Sequence, residues 1–206
     1  MTKVYPKPIT PFAALLLPKS SAAGKVFTVW KKSLLFNGDG FTVFDSNGNL
    51  VFRVDNYVAG GNGAIVLMDA SGHPLLTIRR KRLSLSHNWQ VYDGETTVNP
   101  RFSVTKHVSV FNTKSLAYVN KVGSSMNNTR TPMYEIDGSY AQRCCVVYDD
   151  TGRCVADIRT KEAKGGTVAL GVDVFRLVVQ PLIDPAVAMA LVIVLDQMFG
   201  SSRRVL

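Results

Sequence analysis

The most concentrated chemistry in this sequence is a run of four positive charges, RRKR at residues 79–82. Leu76 and Ile78 before the run share one strand parity, whereas Leu83 and Leu85 after it share the other. Because alternate residues of a strand face opposite sides, this change of parity predicts a bend or loop that exposes several charges together. Such a bend could hold an anionic headgroup by charge-assisted hydrogen bonds.

The candidate anionic-lipid residues are therefore Arg79, Arg80, Lys81, Arg82 and Lys106. Other cations that could extend the same surface are Lys31, Lys32, Lys161, Lys164, Arg203 and Arg204. The alternative interpretation is that these charges belong to a solvated barrel exterior, where they limit edge-to-edge strand pairing.

The sequence shows no pattern typical of a metal-binding site or of a hydrolase active site. His73, His87 and His107 are scattered, with no Glu or Cys at zinc-ligand spacing. Ser84 and Ser86 lie near His87, but no Gly-x-Ser-x-Gly elbow accompanies them. We therefore expect a non-enzymatic protein with no catalytic residues, no metal and no cofactor.

The net charge and the cysteine content indicate which partners and which cellular compartment to expect. The 206 residues carry a net charge of +9, which raises association rates with anionic partners of any kind. Nucleic-acid binding is not favoured, because the sequence contains no recognisable module. Three cysteines without disulfide or metal spacing favour a reducing compartment. We expect a cytoplasmic monomer that is peripheral at the plasma membrane, nuclear, or both.

Short β-branched and aromatic runs fill residues 25 to 180, separated by Gly, Asn, Asp and Ser, and they predict about a dozen strands. The runs are VFTVW, FTVF, LVFRV, AIVLM, PLLTIR, WQVY, FSV, HVSVFN, LAYV, CCVVY, CVADI, VAL and VFRLVVQ. Trp30 and Trp89 lie in two of them and are expected to pack in the core rather than stack on a ligand.

The two ends of the sequence are not expected to belong to the barrel. We interpret residues 1–24 as a flexible leader and residues 201–206 as a basic tail.

Three connections share one turn design. Asp45, Asp69 and Asp149 each precede a glycine by three residues. The Asp side chain can accept hydrogen bonds from backbone N–H groups further along the turn, and the glycine can take a positive φ. Ion or phosphate binding is the functional alternative, but tight hairpins explain the pattern without a ligand.

The segment DPAVAMALVIVLDQMFG, residues 184–200, contains ten consecutive apolar residues. Asp184 as N-cap and Pro185 at the first position favour a helix. A helix from 185 to 199 would be about 22 Å long, short of the roughly 30 Å hydrocarbon core, so we expect no transmembrane span. Its apolar residues cover every direction, so a surface position is also excluded. The residues expected to form the core of this helix are Val187, Ala190, Leu191, Ile193 and Val194.

A helix that is apolar on all sides needs walls on all sides. A barrel of about eight strands is filled by its own side chains, whereas a larger one has room for a helix. The sequence therefore predicts a mainly β fold over residues 25–200, in which a closed antiparallel barrel of about twelve strands surrounds the C-terminal helix near 185–199.

Four blocks resemble the plant LURP-one-related family: FTVFDSNGNLVFRV at 41–54, LMDASGHPLLTIRRKRLSLSHNWQVYDG at 67–94, RCCVVYDDTGRCVADIR at 143–159, and DVFRLVVQPLIDPAVAMALVIVLDQM at 173–198. The resemblance implies a twelve-stranded barrel around a C-terminal helix, as in tubby C-terminal domains and phospholipid scramblases. It also implies a role in plant defence or stress signalling, as a membrane-tethered regulator that binds phosphoinositide headgroups.

Two functional alternatives stay open beside that implication. One is a protein-interaction scaffold or transcription co-regulator that has protein partners and no lipid ligand. The other is phospholipid scrambling, which would need a segment able to insert into the bilayer.

Overall fold

The computed structural model describes residues 24–34, 40–55, 63–81, 88–107, 115–122, 131–162 and 171–200. Within them the chain forms twelve strands and one helix. The strands are β1 Lys25–Trp30, β2 Gly40–Phe44, β3 Leu50–Asp55, β4 Ala64–Asp69, β5 Pro74–Arg80, β6 Asn88–Asp93, β7 Phe102–Lys106, β8 Ser115–Lys121, β9 Tyr134–Ser139, β10 Cys144–Asp149, β11 Cys154–Thr160 and β12 Val174–Val179; the helix is α1 Pro185–Phe199.

The twelve strands form a closed antiparallel barrel, which confirms the predicted fold. Each strand pairs with its sequence neighbour, and β1 pairs with β12 to close the barrel. Inward residues are apolar at alternate positions; Phe27 and Val29 of β1, for example, are buried while Thr28 between them is not. Every strand has a paired neighbour on each side, so closure leaves no strand as a free sheet edge.

Helix α1 runs through the barrel and is enclosed by it. All residues from Ala186 to Asp196 are buried, and the five predicted core residues are among them. The predicted cap is also confirmed, because Asp184 accepts a hydrogen bond from the backbone N–H of Ala186 at 2.8 Å and Pro185 takes the first helical position. In the described part of the chain, no helix has the length and apolar character that a membrane crossing requires.

One strand, β9, was missing from the sequence prediction. Asp137 and Gly138 interrupt its alternating pattern, yet Gly138 is needed where it stands. Its φ is +109°, and a Cβ there would lie 2.1 Å from the carbonyl oxygen of Cys144 on β10. Two predicted runs, HVSVFN and VAL, fall almost wholly outside the described residues.

The connections divide the barrel into two ends. The turn end carries the hairpins at 45–49, 69–73 and 149–153 and the start of α1; the rim is the opposite end, where α1 finishes and where β1, β5 and β7 end at Trp30, Arg80 and Lys106. The three Asp-x-x-Gly turns form as predicted. Asp45, for example, accepts hydrogen bonds from the backbone N–H groups of Asn47 and Asn49 at 2.8 Å, and Gly48 has a φ of +85°.

Candidate anionic-ligand site

The basic run at 79–82 is divided by the end of β5. Arg79 and Arg80 still belong to the strand, opposite Gln90 and Trp89 of β6, and Lys81 follows with its backbone N–H bound to the carbonyl of Asn88. Arg79 is partly buried, whereas Arg80 and Lys81 are exposed. Arg82 and the predicted change of parity at Leu83 and Leu85 lie outside the described residues. Successive strand positions point to opposite faces, so Arg80 and its two neighbours do not share one surface.

Lys106 lies on the rim at the end of β7. It has the same parity as the buried Phe102 and Val104, so it is directed toward the barrel mouth rather than the outer wall. Its ammonium group lies 4.7 Å from the centre of the Phe199 ring, at the last turn of α1. The partial negative charge at the C-terminal end of a helix also stabilises a cation at this point.

A buried polar network fixes α1 to the rim. Asp196 of the helix forms an ion pair with Lys31 at 2.9 Å and accepts a hydrogen bond from the Tyr140 hydroxyl at 3.1 Å. Arg143 lies over the Tyr140 ring at 4.1 Å and over the Phe175 ring at 4.4 Å. Burial, and then the Asp196 charge, raises the pKa of Tyr140 well above its ordinary range. The hydroxyl therefore stays protonated and continues to donate to Asp196.

The rim carries an excess of positive charge and the turn end an excess of negative charge. Among described residues at the strand ends and in the connections, the rim has seven cations and four carboxylates, and the turn end has four cations and seven carboxylates. The rim cations are Lys31, Lys32, Arg80, Lys81, Lys106, Arg143 and Lys161, with Asp55, Glu162, Asp173 and Asp196. The turn end has Asp45, Asp69, Asp93, Glu95, Asp149, Asp150 and Asp184, with Lys25, Arg101, Lys121 and Arg153.

Carboxylates at the turn end are engaged by their own turns. Asp149 accepts hydrogen bonds from the Thr151 hydroxyl at 2.6 Å and from the backbone N–H of Arg153 at 2.9 Å. The Thr151 hydrogen bond contributes most to a pKa of Asp149 far below its ordinary value. Asp45 and Asp69 have lowered pKa values for the same kind of reason, through Asn49 and His73 respectively. These acids stabilise hairpins, as the structural interpretation of the turns predicts.

Two residues on the outer wall were not recognised from the sequence. Trp30, expected in the core, is 46% exposed beside Phe44, with ring centres 5.7 Å apart. The prediction was wrong because the inward positions of β1 are those of Phe27 and Val29, so Trp30 has the outward parity. Arg176 on β12 is exposed near it. Strand register brings the two together, and no local pattern could have indicated that. Trp89, by contrast, is buried as predicted.

The described residues contain no group of three or more His, Cys, Asp or Glu side chains that could hold a metal ion. Of the predicted anionic-lipid residues, Arg80 and Lys106 lie at the rim with the parity that faces the barrel mouth. Lys81 is also at the rim but has the opposite parity, and Arg79 lies one residue further from the mouth. The arrangement can attract and bind anions, because the rim cations outnumber the acids beside them.

Comparison with known proteins adds a family match and close relatives. The family model described as LURP-one-related matches residues 25–196. "Protein LURP-one-related 8" of Arabidopsis thaliana is 53% identical over 206 residues, covering 98% of this chain and 100% of the relative. "Protein LURP-one-related 5" from the same plant is 46% identical, covering 84% of this chain and 82% of the relative. An X-ray structure of another Arabidopsis thaliana protein superposes with a TM-score of 0.62 at 27% identity, covering 85% of this chain and 91% of that one.

Proposed function

The chain belongs to the LURP-one-related family, and from that membership we propose that it is a non-enzymatic β-barrel regulator that binds anionic membrane lipids such as phosphoinositides. Its place in plant defence or stress signalling is part of the same proposal. The protein docks reversibly from the cytoplasmic side and acts as a monomer.

The unequal charge of the two barrel ends is the observation that supports this proposal. An anionic bilayer surface attracts each basic residue near it by about 1 kcal/mol. The rim would therefore turn toward the membrane, and the turn end, with more carboxylates than cations, would turn away. Orientation by charge needs no catalytic group and no inserted segment.

Two features favour the rim as the lipid-facing end. Within the described residues, Lys81 and Lys106 have no carboxylate ion-pair partner, so their charge is not cancelled locally. The carboxylate of Asp196, by contrast, is already bound by Lys31 and Tyr140. Lipid phosphates would thus meet cations whose charge is unpaired.

Vesicle sedimentation tests the proposal. We expect recovery with vesicles of phosphatidylcholine that contain phosphatidylserine or a phosphatidylinositol bisphosphate, and little recovery with phosphatidylcholine alone. The bound fraction should fall as salt rises from about 0.1 M to about 1 M, because the screening length shrinks from about 10 Å to about 3 Å. Equal recovery with neutral and anionic vesicles would contradict lipid binding.

A charge-reversed variant with its matched control tests the rim. Lys81→Glu combined with Lys106→Glu should weaken binding to anionic vesicles. Lys25→Glu combined with Lys121→Glu changes the net charge equally, but at the turn end, and should leave binding intact.

The scaffold alternative makes a different prediction from the same preparation. Affinity capture would then return a stable protein partner whose retention does not depend on lipid or on the rim cations. Scrambling receives no support from α1, whose apolar residues face the inside of the barrel from Ala186 to Leu195.

A further inference from the structure

A groove of about 900 Å³ crosses the outer wall of the barrel beside the seam where β1 meets β12. Val26, Thr28 and Trp30 of β1 line it, together with Phe44 at the end of β2. β1 pairs with β2 from Thr28 to Trp30, whereas it pairs with β12 along its whole length. The first half of β1 therefore has β12 on one side and the β2–β3 turn, rather than a paired strand, on the other.

Three cations line this groove: Arg159, Lys161 and Arg176. Arg159 on β11 is paired directly with Arg176 on β12, and both side chains are exposed. Like charges at directly opposed positions destabilise a sheet. Arg159 also contacts Asp157 at 3.0 Å, but Arg176 has no carboxylate ion-pair partner in the described part of the chain. An anion bound between the two guanidinium groups would relieve this repulsion.

The remaining polar groups of the groove agree with an anionic occupant. Lys161 donates a hydrogen bond to the Thr28 hydroxyl at 2.8 Å, which places its ammonium group over the strand next to Arg176. Two carboxylates, Asp45 and Glu162, also line the groove. Asp45 is held by its own turn through Asn47 and Asn49, and Glu162 is exposed. Two arginines and a lysine suit a phosphate group, since guanidinium forks bind phosphate oxygens in pairs.

Exposed apolar side chains occur at the rim, where Trp30 forms the end of the same groove. Trp30, Leu34 and Val172 are 46%, 53% and 58% exposed. Trp30 is paired with Val174, two residues after Val172, and the backbone N–H of Lys31 binds the carbonyl of Asp173 at 2.7 Å. The segments that carry Trp30 and Val172 are therefore adjacent, and Leu34 follows Trp30 by four residues.

The distribution of these groups favours a bilayer over a protein partner. A protein interface needs a continuous apolar centre, from which lysine is depleted. Here Lys32, which is exposed, stands between Trp30 and Leu34 along the chain. At a bilayer surface, by contrast, tryptophan sits at headgroup level and lysine meets lipid phosphates.

We propose that the β1–β12 face is a membrane-docking surface, in which the groove takes a phosphorylated lipid headgroup between Arg159, Lys161 and Arg176 while Trp30, Leu34 and Val172 enter the headgroup layer. This inference rests on the proposed lipid binding and names a site of whose residues the sequence prediction had included only Lys161. It refines the orientation of the barrel: the rim faces the membrane and is tilted so that its β1 and β12 side lies closest to the bilayer, with the β5 and β6 side further away.

Fluorescence of Trp30 tests the orientation. The chain has two tryptophans, and Trp89 is buried at 7% exposure. Phosphatidylcholine vesicles with phosphatidylinositol bisphosphate and brominated acyl chains should quench the emission of the wild-type protein, and the Trp30→Phe variant should lose this quenching. Vesicle binding without quenching of Trp30 would overturn the proposed orientation.

Charge reversals test the groove. Arg176→Glu and Lys161→Glu should each weaken the affinity for these vesicles by roughly thirtyfold, because a reversal removes one attraction to the anionic surface and adds a repulsion of similar size. Lys25→Glu, on the same strand as Trp30 but at the turn end, is the control for net charge. Lys81→Glu lies on the opposite side of the rim and should weaken binding less than Arg176→Glu does. Circular dichroism of each variant confirms folding before the comparison.

The outcomes separate this inference from the function it rests on. If Lys81→Glu abolishes binding and Arg176→Glu does not, lipid binding stands and the groove is wrong. If the wild-type protein binds no anionic vesicle, the proposed function itself fails.

Soluble inositol phosphate should compete with vesicles for the groove. Equal competition by inorganic phosphate alone at the same concentration would overturn the assignment to a lipid headgroup. Vesicle binding unaffected by Arg176→Glu, with capture of an acidic protein instead, would also overturn it.

Discussion

At the residue scale, two adjacent cysteines of β10 lie in opposite environments. Cys144 is exposed, whereas Cys145 points into the barrel and is 1% exposed. Burial, and then the neighbouring Cys144, raises the pKa of the Cys145 thiol to about 12. At pH 8 only about one Cys145 side chain in ten thousand would be a thiolate, the form that reacts with alkylating reagents.

We therefore predict selective modification of Cys144. Iodoacetamide applied to the folded protein at pH 8 should alkylate Cys144 and leave Cys145 unmodified, as measured by mass spectrometry of the digested chain. In denaturant both thiols should react, which controls for peptide recovery. Comparable rates at the two positions under native conditions would mean that β10 opens readily or faces the other way.

At the element scale, α1 is the part of the chain most dependent on enclosure. Ala190 and Ile193 are fully buried, and α1 lies against β5, β7 and β12. Both positions belong to the apolar core of the barrel, so a carboxylate at either would be a buried charge among apolar side chains. An uncompensated buried charge costs about 3–5 kcal/mol, a large share of the 5–15 kcal/mol that stabilises a typical domain.

Substitutions in α1 should consequently unfold the protein rather than alter a surface property. Ala190→Asp or Ile193→Asp is expected to lower the free energy of unfolding by several kcal/mol in urea denaturation, or to prevent folding altogether. Gln197→Asp adds the same charge at an exposed position of the same helix and should cost about 1 kcal/mol or less. A folded Ala190→Asp protein that had lost only membrane association would revive the interpretation of this segment as an anchor.

Helix α1 also shows which parts of the fold were predictable. Its length, its cap at Asp184 and its all-round apolarity are local properties of the sequence, and they were sufficient to infer both the helix and a barrel around it. Strand β9 was not predictable in the same way, because Gly138 breaks the pattern and is required only by the carbonyl of Cys144 on the next strand.

The candidate site was predicted less well for a related reason. Arg159 and Arg176 are 17 residues apart and become neighbours through the register of β11 and β12. Trp30 joins them from the other end of the chain through its pairing with Val174. Runs of charge such as residues 79–82 are visible in a sequence, whereas charges assembled across strands become visible only once the register is known.

At the scale of the whole molecule, the β2–β3 hairpin is paired with its neighbouring strands over fewer positions than β10 is. The described pairing joins β1 to β2 from Thr28 to Trp30 and joins β3 to β4 from Phe52 to Val54, three positions on each side. By contrast, β10 is paired with β9 along its full length and with β11 from Cys144 to Tyr148. Regions with fewer interactions open at lower free energy than the rest of a protein.

We predict that the hairpin opens as a unit while the remainder of the barrel stays folded. In native-state hydrogen exchange, the amides of β2 and β3 should exchange at a lower opening free energy than those of β9, β10 and β11. Core truncations in the two regions provide the decisive comparison, since Val43 and Val147 are both buried. Each Val→Ala change removes about 2 kcal/mol of stability by the loss of two buried carbons.

The two truncations should differ in what they change. Val43→Ala should lower the opening free energy of the hairpin amides, because Val43 is released when the hairpin opens. Val147→Ala should leave hairpin exchange unchanged while it lowers the global unfolding free energy measured at β10, because Val147 stays packed in the opened form. Equal acceleration of hairpin exchange by both variants would mean that the barrel opens in one cooperative step.

The hairpin also carries Phe44 and the turn that line the groove, so its opening would reshape the proposed headgroup site. Bound lipid should therefore slow the exchange of the hairpin amides specifically.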